Sequence, residues 1–266
     1  MSSHHPTRRD FLRIAAGATV FAWHSGLPGK ELLAKSREKA EQPGRFTFIR
    51  LKATRLEEMH RFYGTILGLP LNGETKDSLT VRFGSTLIEF AQGPENDEPF
   101  YHFAFNISEN KFATAKQWLG QRCPLLRDSE DDADEQFFDT WNAHAVYFQD
   151  PSGNIGELIA RHTLPSTKEG DFDVEDILYA SEIGMVSGNP GELVEAIARE
   201  FGLKPYPSPF FMGDERGMFV LPSVGRPWIP QRRQKAAVFP AEVELTGHGD
   251  KELRLSELPY LIRGKA

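Results

Sequence analysis

The chain is predicted to be an α+β protein: paired βαβββ modules forming a half-barrel cavity, followed by a third, looser βαβββ-like module. Two observations predict this. An alternating strand followed by one amphipathic helix and further strands occurs three times along the 266 residues. The second copy closes on an apolar strand, the turn Asp150-Pro-Ser-Gly-Asn154 and a second apolar strand. Pro151 fixes φ, Gly153 or Asn154 accepts φ > 0, and the Asp150 carboxylate can bond the turn's own N–H groups.

The first module opens with the strand Phe46 to Ala53. Arg55 to Leu67 reads as a helix with Leu56, Met59, Phe62, Tyr63 and Ile66 on one face, and Gly68 is its C-cap. Ser78–Phe83 and Thr86–Ala91 are its strands. The second module opens with Tyr101–Ile107, continues with a helix over Glu109–Leu119 capped by Ser108, and ends with Ala143–Gln149 and Ile155–Ala160. The acidic stretch Asp128 to Glu135 reads as a solvated loop, with a surface cation site as the alternative. The third opens with Ser181–Ser187. Its helix is Pro190–Phe201, with Pro at the first position and Gly202 after the end. Met218–Leu221 and Ala241–Leu245 are its strands, and the Pro-rich Arg226-Pro-Trp-Ile-Pro230 between them is an irregular loop. These spans place a paired domain at 45–163, a third module at 176–247 and a C-terminal tail at 248–266.

Ahead of the domain, Arg8-Arg9-Asp-Phe-Leu-Arg13 precedes the short apolar run Ile14 to Trp23. This stretch resembles a twin-arginine export signal, which assigns residues 1–34 to a signal segment and 35–44 to a polar linker. The resemblance implies a periplasmic or exported bacterial protein that crosses the membrane folded, often with its cofactor inserted. The apolar run is too short to leave a membrane span in the mature protein. The net charge is −7. Residues 1–34 hold four basic and two acidic residues, so the rest carries −9, which argues against nucleic acid as a partner. The lone Cys123 precedes Pro124 and reads as a small buried hydrophobe.

Three motifs together resemble the vicinal oxygen chelate superfamily of glyoxalase I, fosfomycin- and bleomycin-resistance proteins and extradiol dioxygenases. They are Phe62-Tyr63-x-x-x-Leu67-Gly68-Leu69, His102-Phe-Ala-Phe105, and Phe148-Gln-Asp-Pro-Ser-Gly-Asn-Ile-Gly-Glu-Leu158. The match covers residues 45–161 and, more faintly, 180–246. It implies metal ligands on the first and last strands of each module: Glu89, His102 and Glu157, with Phe48 standing where a further ligand is expected. One His and two carboxylates suit Mn, Fe, Ni or Zn.

Strand parity gives an independent argument, because Phe103 and Phe105 oppose His102, Leu158 opposes Glu157, and Ile88 and Phe90 oppose Glu89. The same parity turns Phe48 and Arg50 into a cavity, where Arg50 can grip an anionic substrate. His144 is a candidate replacement ligand or proton shuttle. Tyr147 stands near the place of the active-site Tyr of extradiol dioxygenases. Glu182 and Glu244, at matching positions of the third module, read as structural. Two functions follow: a metal-dependent lyase, isomerase or dioxygenase acting on a small oxygenated substrate, or a metal-free protein that sequesters a small molecule. The third module either covers an edge of the cavity or mediates a homodimer.

Overall fold

The computed structural model describes residues 44–94 and 97–266. The expected export segment and all but the last residue of the expected linker lie outside them. The first module is β1 (Phe46–Ala53), helix α1 (Leu56–His60) running on as a π-helical turn (Arg61–Ile66), β2 (Leu71–Thr75), β3 (Ser78–Phe83) and β4 (Thr86–Gln92). The second is β5 (His102–Ile107), α2 (Phe112–Gly120), β6 (Gln136–Phe138), β7 (Ala143–Gln149) and β8 (Ile155–Arg161). Then follow β9 (Ile177–Gly184), α3 (Pro190–Phe201), β10 (Phe211–Asp214) and β11 (Gly217–Val220), and finally β12 (Ala241–Thr246), β13 (Glu252–Leu255) and β14 (Leu258–Lys265). Among the described residues no helix is long and apolar enough to cross a membrane.

The strands form two seven-stranded sheets, ordered β13-β14-β12-β1-β4-β3-β2 and β10-β11-β9-β5-β8-β7-β6. One wiring rule repeats: the first strand of a module runs parallel to its last. It joins β1 to β4, β5 to β8, β9 to β11 and β12 to β14. The described residues therefore hold four module-like units, two complete and two shortened. First strands pair antiparallel at the centre of each sheet, β1 with β12 and β5 with β9.

The α+β class and the paired modules are as expected, but the pairing is not. The first and second modules do not lie edge to edge; the first pairs with the C-terminal unit and the second with the third. Residues 248–266, expected as a tail, carry β13 and β14. The strand Ala241–Thr246 opens that last unit rather than closing the third.

The two sheets share one core. Phe83 stacks on Phe105 with ring centroids 4.1 Å apart, and Tyr63 of the π-helical turn stacks on Phe90 at 5.4 Å. The π-helical turn after α1 reaches the other sheet, where Phe62 stacks on Phe148 at 5.9 Å. Each such ring, fully buried, contributes about 1.5–3 kcal/mol. A second apolar cluster (Ala104, Ala143, Ala145, Tyr147, Ile155, Ile159, Val186, Val220, Trp228 and Ala236) lies on the opposite face of the β5-containing sheet. That face holds the site.

Candidate metal centre

The site begins with three strands in register. Ala104 of β5 sits between Glu157 of β8 and Glu182 of β9. His102 lies two residues earlier on the same face of β5. All three polar residues are buried. His102 Nε2 is 3.6 Å from Glu157 Oε2 and 3.8 Å from Glu182 Oε2. One ligand atom from each falls within 4.8 Å of the others. The His102 Nδ1 lies 3.2 Å from the Ile155 carbonyl oxygen. A carbonyl only accepts, so Nδ1 carries the hydrogen and Nε2 presents its lone pair to two carboxylates. Nε2 must then meet a proton or a cation.

The electrostatics follow from burial and from this crowding. Burial raises Glu157, and the neighbouring Glu182 carboxylate raises it further against the pull of His102 and Arg161. Burial also pushes Glu182 up, but the His102 hydrogen bond and the Arg161 charge outweigh it and hold Glu182 below the usual range. For His102, burial favours the neutral ring, yet Glu182 and Glu157 prevail and raise it. Arg161, 1% exposed, donates from Nη2 to Glu182 Oε1 and from Nε to Asn106 Oδ1 at 3.2 Å.

A cavity of about 80 Å³ opens over the cluster, walled by Phe138, Trp141, Tyr147, Phe211, Val220 and Trp228 among others. Trp228 comes from the Pro-rich loop, covers His102 with ring centroids 5.2 Å apart, and is 5% exposed. The loop is pinned by Arg232 to Asp128 at 2.7 Å and by Gln234 to the Gly153 carbonyl at 3.0 Å. Trp141, in the cavity wall, meets Tyr206 at 5.4 Å and Phe211 at 5.5 Å, linking the two edges of the sheet.

Of the expected site residues, His102 and Glu157 come together, and Tyr147 joins them. Tyr147 pairs with Glu157 across the β7·β8 ladder. Burial and that carboxylate hold its hydroxyl well above its ordinary range. Glu89 does not join them, because β4 belongs to the other sheet. Its carboxylate takes Arg50 Nε at 3.0 Å and Nη2 at 3.2 Å. Phe48 and Arg50 lie on that same distant face. His144 faces the helix side of β7, between Phe112 at 5.0 Å and Phe137 at 4.6 Å, with Nδ1 2.8 Å from His162 Nε2. It is neither a ligand nor a shuttle for this cluster. Glu182, read as structural, completes it. Trp228 and Arg161 were not singled out by the sequence; a Trp inside a Pro-rich loop was the available signal for the first, and an Arg ending an apolar strand for the second.

The two sheets carry the same four positions. Phe103 and Ile183 face each other in the β5·β9 ladder, each directly after a site residue, His102 or Glu182. On the last strands, Glu157 lies opposite Ala104 and Val220 opposite Gly184. In the other sheet Ile49 faces Val243, and the four places hold Phe48, Glu242, Glu89 and Arg263. There Arg50, in the place of Ala104, bridges Glu89 and Glu242, the latter at 3.3 Å.

No family model matches the chain, and no curated protein matches it. Solved structures do resemble it. A proposed dioxygenase from Bacillus subtilis subsp. subtilis str. 168 aligns over 85% of this chain and 86% of its own, with a TM-score of 0.54 and 14% identity. A point mutant of glyoxalase I from Zea mays aligns over 84% of this chain and 94% of its own at 13% identity and a TM-score of 0.48. Lactoylglutathione lyase from Agrobacterium tumefaciens spans 45% of this chain and 95% of its own at 18% identity and a TM-score of 0.35. The Bacillus protein, alike over most of both chains, shares this α+β fold of paired βαβββ modules.

Proposed function

We propose that the chain belongs to the vicinal oxygen chelate superfamily and binds a divalent metal at His102, Glu157 and Glu182. It then acts on a small oxygenated substrate in the cavity above them. The observation that carries this reading is the Nε2 lone pair of His102 held 3.6 and 3.8 Å from two buried carboxylates. Donors bound about 2.1 Å from one ion are typically about 3–4 Å apart, so these separations suit a single ion. One nitrogen and two oxygens suit Mn, Fe, Ni or Zn. When bound, the metal would polarise a substrate oxygen as a Lewis acid. Tyr147 and Glu157, paired on one face, would then hold or move a proton beside it. Twin-arginine export, if residues 1–34 act as such a signal, would deliver the protein folded and loaded to the periplasm.

Elemental analysis of protein matured in the cytoplasm tests the reading. One equivalent of a transition metal is expected, lost in His102→Ala and in Glu157→Gln. A metal-free protein whose melting temperature ignores Mn, Ni and Zn would overturn it. One feature favours a second, metal-free reading: Arg161 already neutralises Glu182, and a protonated His102 would neutralise Glu157. That result would leave a small-molecule binding protein with an aromatic-walled cavity.

A further inference from the structure

The cavity has two ends of different chemistry. Its floor is the buried cluster of His102, Glu157 and Glu182. Of the residues that line it, Arg226 alone is exposed, so Arg226 marks the outer end. Arg226 is also the only residue of fixed positive charge in that wall. Among the described residues no hydrogen bond or ion pair holds its guanidinium. Arg161, by contrast, is already occupied by Asn106 and Glu182.

The backbone turns this side chain toward the cavity. Gly225 N–H donates to the Ala236 carbonyl at 2.7 Å, Ala236 N–H to Arg226 at 2.8 Å, and Trp228 N–H to Gln234 at 2.9 Å. With an antiparallel bridge between Pro227 and Lys235, these bonds make the Pro-rich loop a short two-stranded arm. Alternate residues of such an arm share a face. Trp228 lies over His102, and Arg226, two residues earlier, falls on the same face, while exposed Pro227 takes the other. Trp228 and Arg226 accordingly both line the cavity. Two extended residues span about 6.5–7 Å, so the arm carries the cation one such step away from the indole that covers His102.

We propose that Arg226 binds an anionic group at the outer end of the ligand. The site then takes small oxygenated acids, with a carbonyl or hydroxyl oxygen toward the cluster and a carboxylate toward Arg226. The rest of the wall is mainly aromatic and aliphatic, which suits a short uncharged spacer between the two groups. In open water an ion pair of this kind contributes little. At the rim of an apolar cavity the carboxylate is partly shielded, and the guanidinium fork can grip it with two parallel hydrogen bonds. The proposal rests on the reading of this cavity as the ligand site, which the metal-bound and metal-free alternatives share.

The test uses the full chain loaded with cobalt(II) and two probes of equal size, 4-oxopentanoate and its neutral amide. Each is titrated while cobalt absorption and tryptophan fluorescence are followed. The wild type is expected to bind the acid about tenfold more tightly than the amide. Arg226→Met should remove that preference by weakening the acid about tenfold, with amide affinity and cobalt stoichiometry unchanged. Arg226→Lys should keep part of the preference, and Arg226→Glu should reverse it. Because Arg226 is exposed, none of these changes disturbs the core. A wild type that binds neither probe, or both equally, would overturn the anchor, and so would a preference that survives in Arg226→Met. A wild type that takes up no cobalt would instead sink the metal reading. The same titrations of the metal-free protein, followed by fluorescence, then decide the anchor by whether the preference for the acid needs Arg226.

Discussion

His102 shows how little space decides the chemistry of this site. Its ring is sandwiched between the carboxylates and the Trp228 indole, and the indole keeps its place because Gly184 has no side chain. A Cβ at Gly184 would lie 2.8 Å from the Trp228 ring. Gly184→Ala is therefore expected to lift Trp228 off His102, with a stability cost of about 1–3 kcal/mol from overpacking. Its readouts are the urea midpoint and the Trp fluorescence maximum, which should shift to longer wavelength as Trp228 meets water. An unshifted spectrum with wild-type stability would mean that the loop yields freely and does not seal the site. Cys123, read as a buried hydrophobe, is half-buried, and that burial pushes its thiol up to about 11.

Elements were legible where their local chemistry is strong. Helix α3 occupies the span expected from Pro190 at its start and Gly202 at its end, where Gly202 adopts φ +69°. The Asp150 turn is also as expected: Gly153 takes φ +87°, and Asp150 Oδ1 accepts from the N–H groups of Ser152 and Asn154, each at 3.0 Å. Its Oδ2 accepts from Tyr63 at 2.8 Å, which ties the turn to the π-helical segment after α1 in the other module. Helix α2 starts at Phe112 rather than Glu109, and Ser108 does not cap it: its hydroxyl turns instead to Asp176, 68 residues away. β2 leaves no signature in the sequence because Leu71–Thr75 is an exposed edge without alternation. The turn also gives a pH prediction. Burial, only partly offset by its four hydrogen bonds, raises Asp150 to about 6. Between about pH 4 and 6 the folded state thus holds a proton that the unfolded chain releases, so this contribution to stability is lost as pH rises through that window. Relative to Asp150→Asn, the wild type should lose up to about 3 kcal/mol across it. Parallel denaturation curves at pH 4 and 7 measure the difference; an equal pH response in both proteins would place the Asp150 carboxyl in the ordinary range.

At the scale of the whole molecule, parity within a strand was readable from the sequence, whereas the choice of neighbouring strand was not. Parity put His102 and Glu157 on one face because each strand alternates locally. Glu182 could be added only by knowing that β5 pairs with β9, a contact between residues about 80 positions apart. Glu89 failed for the same reason, since nothing local says that β4 lies in the other sheet. The two sheets nevertheless repeat one design with different occupants. In one, His102 and two carboxylates surround the small Ala104. In the other, Glu89 and Glu242 keep the carboxylates, Phe48 replaces the His, and the Arg50 guanidinium lies between them as a built-in cation. If that correspondence is physical, restoring the missing residues should restore the capacity. The double variant Phe48→His, Arg50→Ala is expected to bind a second equivalent of zinc, more weakly than the first because the groove is half exposed. Adding His102→Ala should then remove the tighter equivalent and leave the new one, which a calorimetric titration resolves by stoichiometry. A double variant that still binds a single equivalent, lost with His102, would show that sharing four strand positions does not make the two faces chemically equivalent.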